Sequence, residues 1–225
     1  MPDTVRNVPR DAKTWATVVA VVALVGMAPM SAVRADETQA KHLLKAMSDY
    51  LAAQQALSFD YDATLEIVTT QKQRLGLASS GTMTRNRPDK LHATRTGGFA
   101  HVEYVFDGKT LTLLGKNANV YAQVEAPGTI DHVIDALRNT YHRPVPGGDL
   151  LMPDISKELM PLVVDTKDLG SGVIGDVECD HLALRTKEMD WQIWIAQGNR
   201  PYPCRYVITS TKVPGEPQYT IDVRA

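Results

Sequence analysis

An α+β fold, a large curved antiparallel sheet with helices across its concave face, is predicted by two patterns in this chain. From Val177 to Val223 the runs VECDHLALRTK, WQIWIAQ, CRYVITSTK and QYTIDV are separated only by short turn-rich segments such as GNRPYP and VPGEP. Connections this short join antiparallel neighbours and leave no room for crossover helices. Upstream, other stretches repeat apolar residues at three- and four-residue steps, the pattern of helices that bury one stripe.

Taken in order, the chain opens with a leader. Arg6, Arg10 and Lys13 precede the apolar run Trp15–Met30, which is followed by Ser31-Ala32-Val33-Arg34-Ala35 and the acidic Asp36-Glu37. Basic, apolar and small-residue stretches in this order have the form of a secretory signal cleaved after Ala35. The apolar run is short for a bilayer span of roughly 20 residues and contains Gly26 and Pro29, which weighs against an uncleaved anchor. The expected organisation is therefore a signal peptide over 1–35 and a single domain over 36–225. With no Cys after the cleavage site, a lipid anchor is not expected.

Glu37–Gln54 places Ala40, Leu43, Leu44, Met47, Tyr50 and Leu51 on one helical stripe. Phe59, Tyr61, Ala63, Leu65 and Ile67 then alternate with polar residues, as in a half-buried strand whose Phe59 face points inward. Further strands are expected at Ser79–Arg85, Lys90–Thr96, His101–Phe106, Lys109–Leu114 and Val120–Val124. Asp107-Gly108 suits a type I′ hairpin turn. Thr129 is placed to cap a helix carrying Ile130, Val133, Ile134, Leu137 and Tyr141 on one face, and Arg143-Pro-Val-Pro-Gly-Gly148 ends it. A short helix is expected within Asp149–Leu162, at Ile155–Met160. The final meander follows.

Charge excludes one class of function. The chain has 24 Lys and Arg against 26 Asp and Glu, and removal of the basic leader makes the remainder more acidic. Nucleic-acid binding needs concentrated positive charge, so no nucleic-acid partner is expected.

The chemical motifs have plain readings. Gly170-Ser-Gly-Val-Ile-Gly175 has dinucleotide-fingerprint spacing, but that mechanism needs a helix afterwards and the following segment reads as strand; a turn is expected. The histidines at 42, 92, 101, 132, 142 and 181 form no close ligand set, and Asp131, His132 and Asp135 read as helix-surface polarity. Asp180-His181 has no specific acid–base partner. No catalytic residue, metal or cofactor is expected. Cys179 and Cys204 invite a disulfide in an oxidising compartment. The meander argues for free thiols: the first and third strands stand roughly 9–10 Å apart, bridged Cα atoms within about 7 Å, and alternation puts the two cysteines on opposite faces.

The segments MSDYLAAQQALSFDYDATLEIVT, RPDKLHA, FDGKTLTLL, APGTIDHVIDAL, CDHLALR, DWQIWI and PQYTIDV together resemble a family of bacterial predicted periplasmic proteins, assigned to the fold superfamily of the Lol lipoprotein carriers. The resemblance covers nearly all of the chain after the leader. It implies an incomplete barrel of antiparallel strands with helices plugging an apolar cavity, and no settled activity. This chain stops soon after the PQY strand where family members continue, which leaves one sheet edge to be capped by another molecule or kept short and twisted.

Aromatic and aliphatic residues give the functional expectation. Trp191, Ile193 and Ile195 share a strand face, as do Tyr206 and Ile208, and Tyr104 and Phe106 together with Val102. Periodicity alone describes a filled core. The resemblance implies instead that part of this surface, with Leu111, Leu113, Tyr61 and Leu65, lines a cavity for an acyl chain or other amphiphile. The expected protein is a non-enzymatic periplasmic carrier or sensor of a lipid, a lipoprotein acyl chain or another hydrophobic ligand, touching membranes peripherally or transiently at most. The alternative is an envelope protein-interaction module with a filled core.

Overall fold

The computed structural model describes residues 37–97, 100–142, 145 and 147–224; the expected leader lies outside them. Helix α1 (Glu37–Ala53) is followed by strands β1 (Ala56–Val68), β2 (Arg74–Asn86), β3 (Lys90–Gly97), β4 (Ala100–Phe106), β5 (Thr110–Gly115) and β6 (Val120–Glu125). A helical interlude holds α2 (Ile130–Asp135), a π turn (Ala136–Thr140), a 3-10 turn (Gly148–Leu151), α3 (Ile155–Leu159) and a second 3-10 turn (Met160–Leu162). Strands β7 (Asp165–Ile174), β8 (Val177–Arg185), β9 (Met189–Ala196), β10 (Pro203–Ser210) and β11 (Gln218–Arg224) complete the chain. The fold is α+β, and its 11-stranded antiparallel sheet does not close into a barrel.

Strand order is β6-β5-β4-β3-β2-β1-β11-β10-β9-β8-β7. Two meanders are thus joined by β1 and β11, in a register that sets Asp60 opposite Arg224 and Leu65 opposite Tyr219. The PQY strand lies inside the sheet, contrary to the expectation of an edge near the chain's end; the edges are β6 and β7. Between β2 and β3 the ladder lapses from Ser80↔Thr96 to Met83↔Ala93. There Tyr61 Oη donates to the Thr94 carbonyl at 2.8 Å, and the Thr94 hydroxyl accepts from Thr82 N–H at 2.9 Å. Gly81 makes this close approach feasible, because a Cβ on it would stand 1.9 Å from the Thr94 oxygen.

The inner face divides into two apolar clusters. Under β1 and β8–β11, Ile193, Ile195, Tyr206, Leu182 and Trp191 pack with Ala40, Leu44, Met47 and Leu51 of α1 and with Ile155 and Leu159 of α3. Under β4 and β5, Phe106 and Leu111 pack with Ile130, Val133 and Ile134 of α2, and with Leu151 and Met152. Asp154 caps α3 by accepting from Lys157 N–H at 2.9 Å. Ser48 of α1 donates to the same carboxylate at 3.0 Å and accepts from Ser156 N–H at 3.1 Å, tying α1 to α3.

Several local expectations are corrected. Only Gly108 takes a positive φ, +88°, whereas a type I′ turn needs two such residues. The Asp107 carboxylate instead accepts from the N–H groups of Lys109 and Thr110 at 2.9 and 2.8 Å. Thr129 makes no side-chain cap, and its helix loosens into the π turn after Asp135. Strand β7 was not expected at all, and Gly170–Ile174 belongs to it; the register shifts between Asp168 and Ser171, and only Gly175 is in the turn beyond. The cysteine distance argument fails too. A register shift between Pro203 and Arg205 breaks the alternation, and the sulfurs of Cys179 and Cys204 lie 2.9 Å apart, both thiols free.

Candidate functional site

Antiparallel alternation sends Trp191, Ile193 and Ile195 of β9 to the inner face, while Gln192 and Trp194 face outward. Registers Tyr206↔Ile193 and Ile208↔Trp191 extend the inner stripe onto β10, and Tyr61, Ala63, Leu65 and Ile67 form its continuation on β1. Trp194 stacks on His181 with ring centroids 3.9 Å apart, and Arg205 lies over its face at 5.8 Å. The two tryptophans of one strand thus serve two separate surfaces.

At one end of the inner stripe the helical cover stands away from the sheet and leaves a cavity of about 600 Å³. Its floor is Leu65 and Glu66 of β1, Met189 and Trp191 of β9, Ile208 and Ser210 of β10, and Gln218 and Tyr219 at the start of β11. Its roof is Arg138 of the π turn, Val145, Asp149, Met152, and Glu158, Leu159 and Leu162 around α3. The volume lies within the ~300–1,000 Å³ of small-molecule sites, and most of the lining is aliphatic, thioether or aromatic.

The polar lining residues are Glu66, Asp135, Arg138, Asp149, Glu158, Ser210 and Gln218, and several of them are committed to partners. Arg138 pairs with Asp149 at 2.9 Å and donates to the Val145 carbonyl at 3.3 Å. Glu66 accepts from Arg74 at 3.1 Å and from Gln218 N–H at 3.0 Å. Burial, reinforced by the Asp149 charge, holds the Tyr206 phenol well above its ordinary pKa. Desolvation and neighbouring Tyr219 push Tyr61 up to about 12. Both stay neutral. Tyr206 Oη and Trp191 Nε1 are buried without a partner among the described residues. Among the described residues, no histidine or cysteine lines the cavity. The arrangement can hold an apolar chain.

Of the residues expected from sequence, Leu65, Trp191 and Ile208 line this cavity. Ile193, Ile195, Tyr206 and Tyr61 belong to the surrounding core cluster, with Tyr206 packed against Trp191 at 6.3 Å between centroids. Phe106 and Leu111 sit in the second cluster, and Tyr104 and Leu113, paired across β4 and β5, belong to neither. Sequence reasoning missed Met189, Tyr219 and the whole roof. Tyr219 carried a signal, alternating with Ile221 and Val223 in the last strand; the roof comes from irregular segments without periodicity.

The model of the family described as predicted periplasmic protein, DUF2092, matches residues 40–225. No curated protein matches. Among solved structures, LprF from Mycobacterium bovis is similar at 11% identity and TM-score 0.51, covering 84% of this chain and 93% of that one. The Mycobacterium tuberculosis lipoprotein LppX aligns at 10% identity and TM-score 0.48, over 84% and 95% of the two chains. A LolA superfamily protein from Nitrosomonas europaea aligns at 11% identity and TM-score 0.37, over 83% and 91%. The chain belongs to the DUF2092 family of periplasmic proteins.

Proposed function

We propose, for this member of a periplasmic family, a non-enzymatic carrier or sensor that holds one apolar chain of a lipid, lipoprotein or other amphiphile in the cavity beneath β1 and β9–β11. The observation that carries the reading is the largely apolar cavity of about 600 Å³ between the sheet and an irregular helical roof. Trp191, Ile208, Leu65 and Tyr219 form its fixed floor, and the roof segments move to admit the ligand. Each methylene buried contributes about 0.8 kcal/mol, so affinity for a homologous series of alkyl ligands rises about fourfold per carbon until the cavity is full.

Titration with fluorescent fatty-acid and fatty-alcohol probes tests this. Saturable uptake by the wild type is expected, weakened by Trp191→Ala and little changed by Trp194→Ala in variants shown to be folded. Absence of saturable uptake of either probe sinks the carrier reading. Native mass spectrometry after gentle purification gives a second readout, a retained amphiphile.

A specific observation favours a second reading, an envelope protein-interaction module. Both sheet edges are open, and β6 leaves Val120 and Tyr121 56% and 71% exposed. An added strand from another protein would pair there.

A further inference from the structure

All strands that floor the cavity reach the same end of the sheet: β1 and β10 finish there, and β9 and β11 begin there. Apolar side chains continue past the cavity into solvent at this end. Leu65 lines the cavity; Ile67, the next residue on its face, is 41% exposed beside its cross-strand partner Leu75. Leu162 lines the cavity and is itself 57% exposed, and Val164, leading into β7, is 61% exposed. Val213 projects from the β10–β11 turn, whose Gly215 abuts Val68.

We propose that this collar of Ile67, Leu75, Leu162, Val164 and Val213 docks on a lipid bilayer surface, and that ligand passes between bilayer and cavity while it is docked. The inference deepens the carrier reading and takes the ligand's source from it. Two features favour a bilayer over a protein. The apolar residues sit on separate turns and strand ends around an opening, so they can enter a fluid interface independently without offering one contiguous face. Each of the three hairpin turns at this end also carries an exposed lysine, Lys72, Lys187 and Lys212, suited to headgroup phosphates, though Glu188 and Glu216 share two of these turns. Docking driven by apolar insertion with lysines at the rim therefore needs only a modest anionic lipid content.

Flotation of vesicles of phosphatidylethanolamine and phosphatidylglycerol, with protein purified from the periplasm, tests the proposal. The wild type is expected to float with the vesicles. Val164→Asp/Val213→Asp, which alters no cavity-lining residue, is expected to lower the bound fraction at least tenfold while probe uptake from solution is kept. Val173→Asp, on an equally exposed residue at the opposite end of β7, is expected to change nothing. A milder Val164→Ser/Val213→Ser variant, expected to give a smaller loss, serves if the aspartates prevent folding. A wild type that takes up probe but ignores vesicles overturns the collar and leaves the carrier reading standing. Collar variants that float normally but lose crosslinks to an envelope protein also overturn it. Collar-dependent flotation without probe uptake supports the collar and removes the carrier.

A second inference rests on a different observation, the paired thiols. Cys179 and Cys204 are 0% and 1% exposed, their sulfurs are 2.9 Å apart, and the strand between them places the small Ala196 opposite Cys179. We infer that the two are joined as a disulfide in the exported protein. The bond forms while the strands are still pairing and both thiols are open to solvent: Cys204 thiolate attacks the oxidant's disulfide, Cys179 thiolate then attacks the Cys204 sulfur, and the oxidant departs as a dithiol with both electrons. Alkylation under denaturing, non-reducing conditions should modify neither cysteine in protein from the periplasm, and both after reduction. Modification of both before reduction overturns the inference.

Discussion

The two halves of the inner face are covered by different kinds of chain, and among the described residues the cavity of about 600 Å³ lies under one of them. Under β4 and β5, α2 presents Ile130, Val133 and Ile134 as one regular ridge, and they close over Phe106 and Leu111. Under β1 and β9–β11 the cover at the cavity is a π turn, Val145, the 3-10 turn Gly148–Leu151 with Met152, and the short α3 with a 3-10 turn after it. Successive side chains of such segments do not fall in one row, so they cannot fill the grooves of a pleated surface along its length. The difference shows that empty volume here comes from the irregular roof, with the same sheet beneath both halves.

The sharpest way to break this contrast is truncation of one large side chain in each half. Phe106→Ala, at a fully buried site, should cost ~3–5 kcal/mol in urea unfolding and leave probe binding intact. Leu65→Ala, at a wall already facing open space, should cost no more than ~2 kcal/mol and weaken probe binding. Equal costs with no binding change in either would mean that both halves are filled.

Between the halves lies Arg85, 1% exposed, whose Nη2 donates to the Leu51 carbonyl at the C-terminal end of α1 at 2.8 Å. Its Nε and Nη1 have no partner among the described residues, and burial, with Arg87 nearby, lowers its pKa to about 10. Removing an incompletely paired buried charge in favour of an apolar chain of similar length is often neutral or stabilising by ~1–4 kcal/mol. Arg85→Met should therefore unfold at equal or higher urea. A loss above ~2 kcal/mol would assign the seam to the guanidinium.

At the roof, Arg138→Gln should cost about 1 kcal/mol, because Asp149 loses its partner while half-shielded from water, and it should speed probe exchange measured by stopped flow. Unchanged exchange would separate the ion pair from the roof's motion. The smallest effect concerns pH on the outer face. Burial, partly opposed by the Gln192 hydrogen bond at 3.0 Å, lowers the His181 pKa below its ordinary value. The unfolded chain then binds the proton more readily than the folded one, so stability is complete above about pH 6.5 and declines as pH falls through that region. His181→Gln should flatten this decline in thermal melts between pH 7 and 5, without touching probe binding.

The legible parts of the fold were those whose side chains carry the period. β1, β4, β5 and β8–β11 alternate bulky and polar residues, and α1 repeats its stripe at Ala40, Leu44, Met47 and Leu51. β7 does not: Thr166 is its one buried residue, and Lys167, Gly170 and Ser171 face solvent, so the strand is held by its ladder to β8. The register shift beside Cys204 was invisible for the same reason, since nothing in Pro-Cys-Arg announces an extra residue. Trp191, Ile208 and Leu65 were legible as inner-face positions because cavity walls and core positions share one strand face. Met189, Leu159 and the Arg138–Asp149 pair were not, because a void is the mismatch between two surfaces and no single stretch of sequence encodes it.

The pairing of β1 with β11 also bears on how the protein matures after export. A chain threading through a secretion channel N-terminus first presents α1 and β1–β6 early, and these can pair with one another as they emerge. The β7–β10 meander has no direct strand partner in that first half and is stitched to it only through β11, whose Arg224 lies opposite Asp60. The cavity floor spans this stitch, so the cavity cannot exist until the final strand has cleared the membrane, and such long-range closure is intrinsically slow. A stalled or truncated chain lacking those seven residues would display two unsealed half-sheets, a substrate for periplasmic chaperones and proteases.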